Sequence, residues 1–298
     1  MSDRKFRFGV VAGLSDDLEG WTTTAKRAED AGYDVLLSPD TPNVGSPFVS
    51  LAAAAAVTTR LRLGTFVLAT PTRTPGLIAW ESASLDRLSG GRFELGLGAG
   101  RPDAAAEAEL LGAPWAGAKR RVEQVSEAIT GVRAVFADAV AKENSGGRGF
   151  GGHSFLRPQQ RPGPPVMVAG AGRLLLGVAA RQADIVALGV GGAAGEDELA
   201  EKIGIVRDQA GDRFDDLELS VNIWAAGDST VPAWMAGAFG LDLSTAVDNK
   251  VIAVLNGTPA EIADVLTRRR DQFGVSYITV NGFAMEGFAP VIERLAGK

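Results

Sequence analysis

Cysteine is absent from the chain, which rules out disulfides, thiolate metal sites and thiol nucleophiles. Histidine occurs once, as His153. A histidine-rich metal site is therefore impossible, and a Ser–His–Asp triad has only this imidazole to draw on. His153 lies in GFGGHSFLRPQQRPGPP, a Gly/Pro-rich stretch that reads as a solvent-exposed connection. No apolar run approaches the ~20 residues that a membrane span needs. The longest run of small apolar residues, LAAAAAV at 51–57, falls well short. The opening MSDRKFRFGVV passes straight from charged residues into a strand-like run. Nothing in it resembles a signal peptide, so a cytoplasmic protein is expected. Positive charge is also in short supply: the net charge is −6 and no basic stripe is evident, which argues against a nucleic-acid partner. What is present is a 298-residue chain, 46% hydrophobic and 22% charged, enough for a substantial core.

Strand-like and helix-like segments alternate from end to end. FRFGVVA (6–12) reads as a buried strand. LEGWTTTAKRAEDAGYD follows with helical spacing at Trp21, Ala25, Ala28 and Ala31, and Gly32 closes it. VLLS (35–38), LRLGTFVLA (61–69), RFELGLG (92–98), PVMVAG (165–170), DIVALGV (184–190), LELSVNIWAA (217–226) and VSYITVNG read as further strands. Helices are predicted between them, among them 48–59, 75–89, 120–137, 172–183 and 196–209. In the penultimate helix Thr258 is the N-cap, Pro259 the first helical residue and Glu261 the capping-box partner. Eight β–α units without a linker predict a single α/β domain over 1–298, a closed (β/α)₈ TIM barrel. Excursions are expected at about 138–164 and 227–256, the latter an insertion before the last β/α unit. A doubly wound open sheet is the competing architecture.

Gly96, Gly98 and Gly100 in FELGLGAGRP are spaced like the start of a dinucleotide-binding fingerprint. The fit fails, because Gly96 and Gly98 lie within a strand and the third glycine is misplaced. The first strand–helix turn instead carries Asp16 and Asp17, which would repel a phosphate. Alternation puts the three glycines on one strand face. Two uses remain open: a stripe free of side chains that admits a flat guest at the barrel mouth, or a bulge with tight packing between elements.

Several segments together resemble the luciferase-like flavin and deazaflavin oxidoreductase family. The clearest is RLRLGTFVL…TPGLIAWESASLDRLSGGRFELGLGAG (60–100). AKRAEDAGYDVLLSPDT, PPVMVAGAGRLLLGVAARQAD and NGTPAEIADVL with GVSYITV are similar to further parts of it. The resemblance implies a TIM barrel with a tricyclic cofactor in its mouth. It implies a cis peptide at Phe66–Val67, in a bulge of the third strand behind the ring, with Thr65, Phe66, Val67, Gly98 and Gly100 at the cofactor. It places the cofactor phosphate on Gly170, Ala171, Gly172 and Arg173, where backbone N–H groups and a helix N-terminus attract an anion. Arg73 and Arg101, in strand–helix loops, are candidates for an anionic tail or a substrate carboxylate. Asp86 and Arg92 are expected to form a stabilising pair on the opposite face. The alanines at 52–56 allow close helix packing or a homodimer interface, a common assembly in the family.

The loop GAGR has no hydroxyl residue. That looks like the coenzyme F420 branch, with FMN as the alternative. The implied activity is hydride transfer between F420 and a small organic substrate; FMN would bring back a monooxygenase. Relatives place a histidine after the acid that ends strand two, but here SPDT offers Asp40 then Thr41. Asp40 and Glu107 are the candidate catalytic acids, with Asp40 and Thr41 also facing the cofactor. A Schiff-base aldolase is disfavoured, since no core strand carries a lysine beyond Lys5 at its margin. A cofactor-binding barrel that has lost catalysis stays open.

Overall fold

The structure is a computed structural model that describes residues 4–14, 17–144, 156–227, 229, 231–233, 236–237 and 251–298. His153, Asp16 and most of the 227–256 insertion lie outside the described residues.

The barrel strands are short apolar runs, buried on both faces as parallel strands between helices must be. They are β1 (Arg7–Val11), β2 (Val35–Ser38), β3 (Arg62–Thr65) continued by β4 (Leu68–Ala69), β5 (Phe93–Gly98), β6 (Val166–Gly170), β7 (Ile185–Leu188), β8 (Glu218–Ile223) and β11 (Val275–Asn281). Neighbours pair in parallel in the order β3-β2-β1-β11-β8-β7-β6-β5-β4, and β3 at one end of that order pairs again with β5 at the other, so the sheet closes on itself. This is a TIM barrel, not the open sheet. A separate parallel pair, β9 (Ala225–Ala226) and β10 (Val254–Leu255), follows β8.

The surrounding helices are α1 (Leu18–Asp30), α2 (Pro47–Val57), α3 (Pro75–Leu88), α4 (Ala105–Leu110), α5 (Ala118–Asn144), α6 (Arg173–Gln182), α7 (Glu196–Ala210), α8 (Pro259–Phe273) and α9 (Met285–Leu295). Helix α8 starts with the expected capping box, in which the Thr258 hydroxyl accepts from the Glu261 N–H and the Glu261 carboxylate accepts from the Thr258 N–H. Its end is set by Gly274 at φ 77°, a left-handed position that suits glycine. Helix α5 runs seven residues past the expected end at Ala137. Ala139 is still buried there, and Lys142 pairs with Asp138 one turn back, so the helical stripe continues.

The lumen holds Val35, Leu37, Met167, Ile185, Ala187 and Tyr277. Its floor, at the strands' N-terminal ends, is ionic. Arg7 reaches across from β1 to Glu94 on β5, and binds Glu218 at 2.5 Å. Arg62 binds the same Glu94 oxygen at 2.5 Å, and the Arg7 guanidinium lies 4.5 Å from the centre of the Tyr277 ring. Burial works against the Arg7 charge, but Glu94 and its neighbours more than offset this and raise its pKa. Burial likewise raises the Glu218 and Tyr277 pKa values. The floor is therefore structural, and the other end of the barrel is the candidate site.

Candidate functional site

The mouth is shaped by an interruption in the third strand. Leu63 pairs with Phe93 and Leu68 with Leu97, five steps on one side against four on the other. One residue is extra, which is a β-bulge. The Phe66–Val67 peptide at this point is cis, as the family resemblance implied. The Thr65 hydroxyl ties the bulge down: it donates to the Gly96 carbonyl at 2.8 Å and accepts from the Gly96 N–H at 2.9 Å. Thr70 donates to the Gly98 carbonyl at 3.1 Å.

The glycine stripe serves this packing. A Cβ on Gly96 would lie 1.9 Å from the Thr65 carbonyl oxygen, and one on Gly98 would lie 2.6 Å from the Val67 side chain. Gly100, at φ 75°, would put a Cβ 2.4 Å from the Trp115 ring. The reading of an open slot along these three residues is corrected: chain atoms fill that space. Glycine is needed because the bulge and the indole come closer than any side chain permits. Phe66 and Val67, half-buried, top the lumen cluster.

Beside this wall the loop after β2 brings Asp40 to Arg73. The Asp40 carboxylate accepts from both terminal nitrogens of Arg73, at 2.5 and 2.9 Å, and from the Ala69 N–H at 2.9 Å. Thr41 donates to Glu107 at 3.3 Å, and Arg101 donates to the same oxygen at 2.5 Å. Asp40, Thr41 and Glu107 thus lie about one cavity, Asp40 paired with Arg73 and Glu107 with Arg101, so every one of the five has a partner within the chain. Together Asp40, Thr41, Arg73 and Glu107 border a cavity of about 200 Å³, walled elsewhere by apolar groups such as Val44, Leu111 and Trp115.

The loop Gly170–Ala171–Gly172 enters α6, with Arg173 its exposed first residue. Gly172 is the N-cap and no side chain caps the helix. Around Gly172 a Cβ would meet nothing within 4 Å, so the first-turn N–H groups open onto free space. Lys202 donates to the Ala171 carbonyl at 3.3 Å and is paired with Glu198 at 3.2 Å.

Asp86 and Arg92 do not form the expected pair. Asp86 is wholly buried and accepts from the Gln160 backbone and side-chain amides, at 2.8 and 2.7 Å. Arg92 instead donates to the carbonyls of Ala55, Leu61 and Ser89. Backbone carbonyls from three segments compete better for this guanidinium than a carboxylate already saturated by the Gln160 amides.

Sequence reasoning missed Trp115, Arg121, Lys202 and Glu81. Arg121 lies 4.4 Å from the centre of the Trp115 ring and donates to the carbonyls of Ala99 and Ala116. Glu81 has one carboxylate oxygen buried without a partner. Burial raises its pKa, with Arg73 opposing and Asp40 adding to the shift. A signal for Glu81 was present: it stands three residues after the buried Ile78 and four before the buried Leu85, on the inward stripe of α3. Trp115 and Lys202 act across elements, and no local spacing marks them. Among the described residues no helix is long and apolar enough to cross a membrane, and no group of three or more His, Cys, Asp or Glu is placed to hold a metal.

The chain is similar to known proteins in sequence and in fold. The F420-dependent glucose-6-phosphate dehydrogenase of Beutenbergia cavernae is 38% identical over 120 residues, which is 37% of this chain and 34% of that one. An uncharacterized protein of Mycobacterium bovis is 34% identical over 150 residues, 42% of this chain, and the chain spans about half of its length, 51%. The F420-dependent tetrahydromethanopterin reductase of Methanopyrus kandleri superposes with a TM-score of 0.71 at 18% identity, covering 98% of both chains. The 3,6-diketocamphane monooxygenase of Pseudomonas putida, in complex with FMN, gives 0.74 at 15% identity over 99% of both. At such identities these structures establish the fold. The family match is direct: residues 6–236 fit the luciferase-like monooxygenase family, and the chain belongs to it.

Proposed function

We propose that the protein is a coenzyme F420-dependent oxidoreductase that moves a hydride between the deazaflavin and a small organic substrate. The observation that carries this reading is the uncapped start of α6. An anion there meets unsatisfied N–H groups and the positive end of the helix dipole. The residues fit the cofactor's phosphate: Gly172 leaves the approach open, the exposed Arg173 brings positive charge, and no hydroxyl side chain competes for the amides.

In this reading Gly170, Ala171, Gly172 and Arg173 hold the phosphate. The Phe66–Val67 wall backs the ring, and Asp40 meets its polar edge. Gly98 and Gly100 act indirectly, by seating Val67 and Trp115. When bound, the deazaflavin supplies a carbon that gives or accepts hydride. The chain's own contribution is to position. Arg73 fixes the Asp40 carboxylate with both of its terminal nitrogens, and Thr41, standing where relatives place a histidine, orients Glu107. Glu107 is the group that holds or takes the proton accompanying hydride movement, at a carboxylate oxygen. The protein is further proposed to be a homodimer. Leu77, Trp80 and Leu88, exposed on one stripe of α3, support this, with Val49 exposed on α2.

Fluorescence titration of the purified protein with F420 and with FMN tests the cofactor. Saturable F420 binding, with FMN weaker, is the expected result. Backbone amides hold either phosphate, so tight FMN binding without F420 binding would replace this reading with the FMN-dependent one.

A further inference from the structure

The cavity beside the Asp40–Arg73 pair points to a substrate class. We infer that it is the substrate pocket and takes an uncharged, ring-sized organic molecule, while carboxylates, phosphates and ammonium ions are turned away. This inference rests on the reading of the mouth as an active site.

Size comes first. A dry cavity of about 150 Å³ holds a benzene molecule. At about 200 Å³ this one has room for a single substituted ring. Its wall is set in advance. The Trp115 indole is pressed on Gly100, closer than any Cβ permits, and is held from the other direction by Arg121. Arg121 is itself fixed by the Ala99 and Ala116 carbonyls, so the indole is anchored both to the end of β5 and to the start of α5. An apolar ring meets a prepared aromatic surface and pays little for ordering it.

Charge decides the rest. Among the described residues bordering the cavity the ionised groups are Asp40, Glu107 and Arg73. Arg73 spends both terminal nitrogens on Asp40. An incoming anion would have to displace that carboxylate and would face Glu107 as well. An incoming cation would meet Arg73, with Asp40 and Glu107 already neutralised by arginines. Either ion would give up part of its hydration on entering without gaining a partner. A neutral ring disturbs none of these pairs.

The test holds shape constant and varies charge. Cyclohexanol, cyclohexanecarboxylate and cyclohexylammonium are titrated into the protein and followed by saturation-transfer difference NMR. Cyclohexanol is expected to bind about tenfold or more tightly than either ion. In Leu111→Trp, a change at a half-exposed position that narrows the cavity from its rim, cyclohexanol binding is expected to fall by a similar factor. Equal or tighter binding of either ion overturns the inference. So does cyclohexanol binding that Leu111→Trp leaves unchanged, or the absence of binding by all three. The F420 and FMN titrations run beside it separate the two ideas. A protein that takes the ring but neither cofactor retires the oxidoreductase reading, and one that takes a cofactor but no ring retires this pocket.

Discussion

Thr65 occupies a position where its hydroxyl replaces bonding that the bulge interrupts. It both donates to and accepts from Gly96, and it is buried. Thr65→Val keeps the shape and removes both bonds, leaving the Gly96 N–H without this acceptor. The expected cost is about 1–3 kcal/mol in chemical denaturation, with the fold retained. A loss within a few tenths of a kcal/mol would show that the hydroxyl is dispensable to the wall. Individual residues were legible in the sequence to different degrees. Thr258 and Glu261 declare themselves because the capping box is local, complete within four positions. The glycines at 96, 98 and 100 declare only that space is needed. What fills it comes from residues 65, 67 and 115, which no spacing within the strand can name.

Helix α6 gives up a stabilising contact at its start. Two residues after the end of β6 the chain has Gly where Asp, Asn or Ser would cap the helix, and the N-cap backbone is extended, which any residue adopts. Gly172→Asp therefore separates stability from binding. An aspartate there caps the first turn and complements the dipole, so the melting temperature is expected to hold or rise slightly. The same carboxylate occupies the anion's place, and F420 affinity is expected to drop about tenfold or more. A variant that binds F420 as the parent does would move the phosphate elsewhere. At this scale the strands and helices were largely readable, because each barrel unit repeats the same apolar run and amphipathic stripe. The end of α5 was not, since what continues it past Ala137 is burial of Ala139 and one surface ion pair.

For the molecule as a whole, carboxyl groups sit in poorly hydrated places at both ends of the barrel, Glu218 at the floor and Glu81 near the mouth. Burial raises the Glu81 pKa in the folded protein above its unfolded value. A carboxyl shifted this way favours folding below the unfolded value and loses that contribution as pH rises through the raised one. Glu81→Gln, which cannot ionise, is accordingly expected to gain stability over the parent at neutral pH. The gap should narrow as pH falls through the ordinary carboxylate range, and paired urea denaturation curves at pH 7 and pH 4 check it. A gap that stays constant between the two would mean that ionisation of this residue is not linked to folding. The closed architecture was legible from the count of β–α units, whereas the partners of Asp86 and Arg92 were not, because Gln160 arrives from a distant segment to claim Asp86.

The ionic floor has a consequence for traffic through the barrel. With Arg7, Glu94 and Arg62 bridging it and Tyr277 fully buried above them, the N-terminal end offers no exit. Among the described residues the floor is bridged and the mouth is the open end, so a molecule that enters there leaves by the same route.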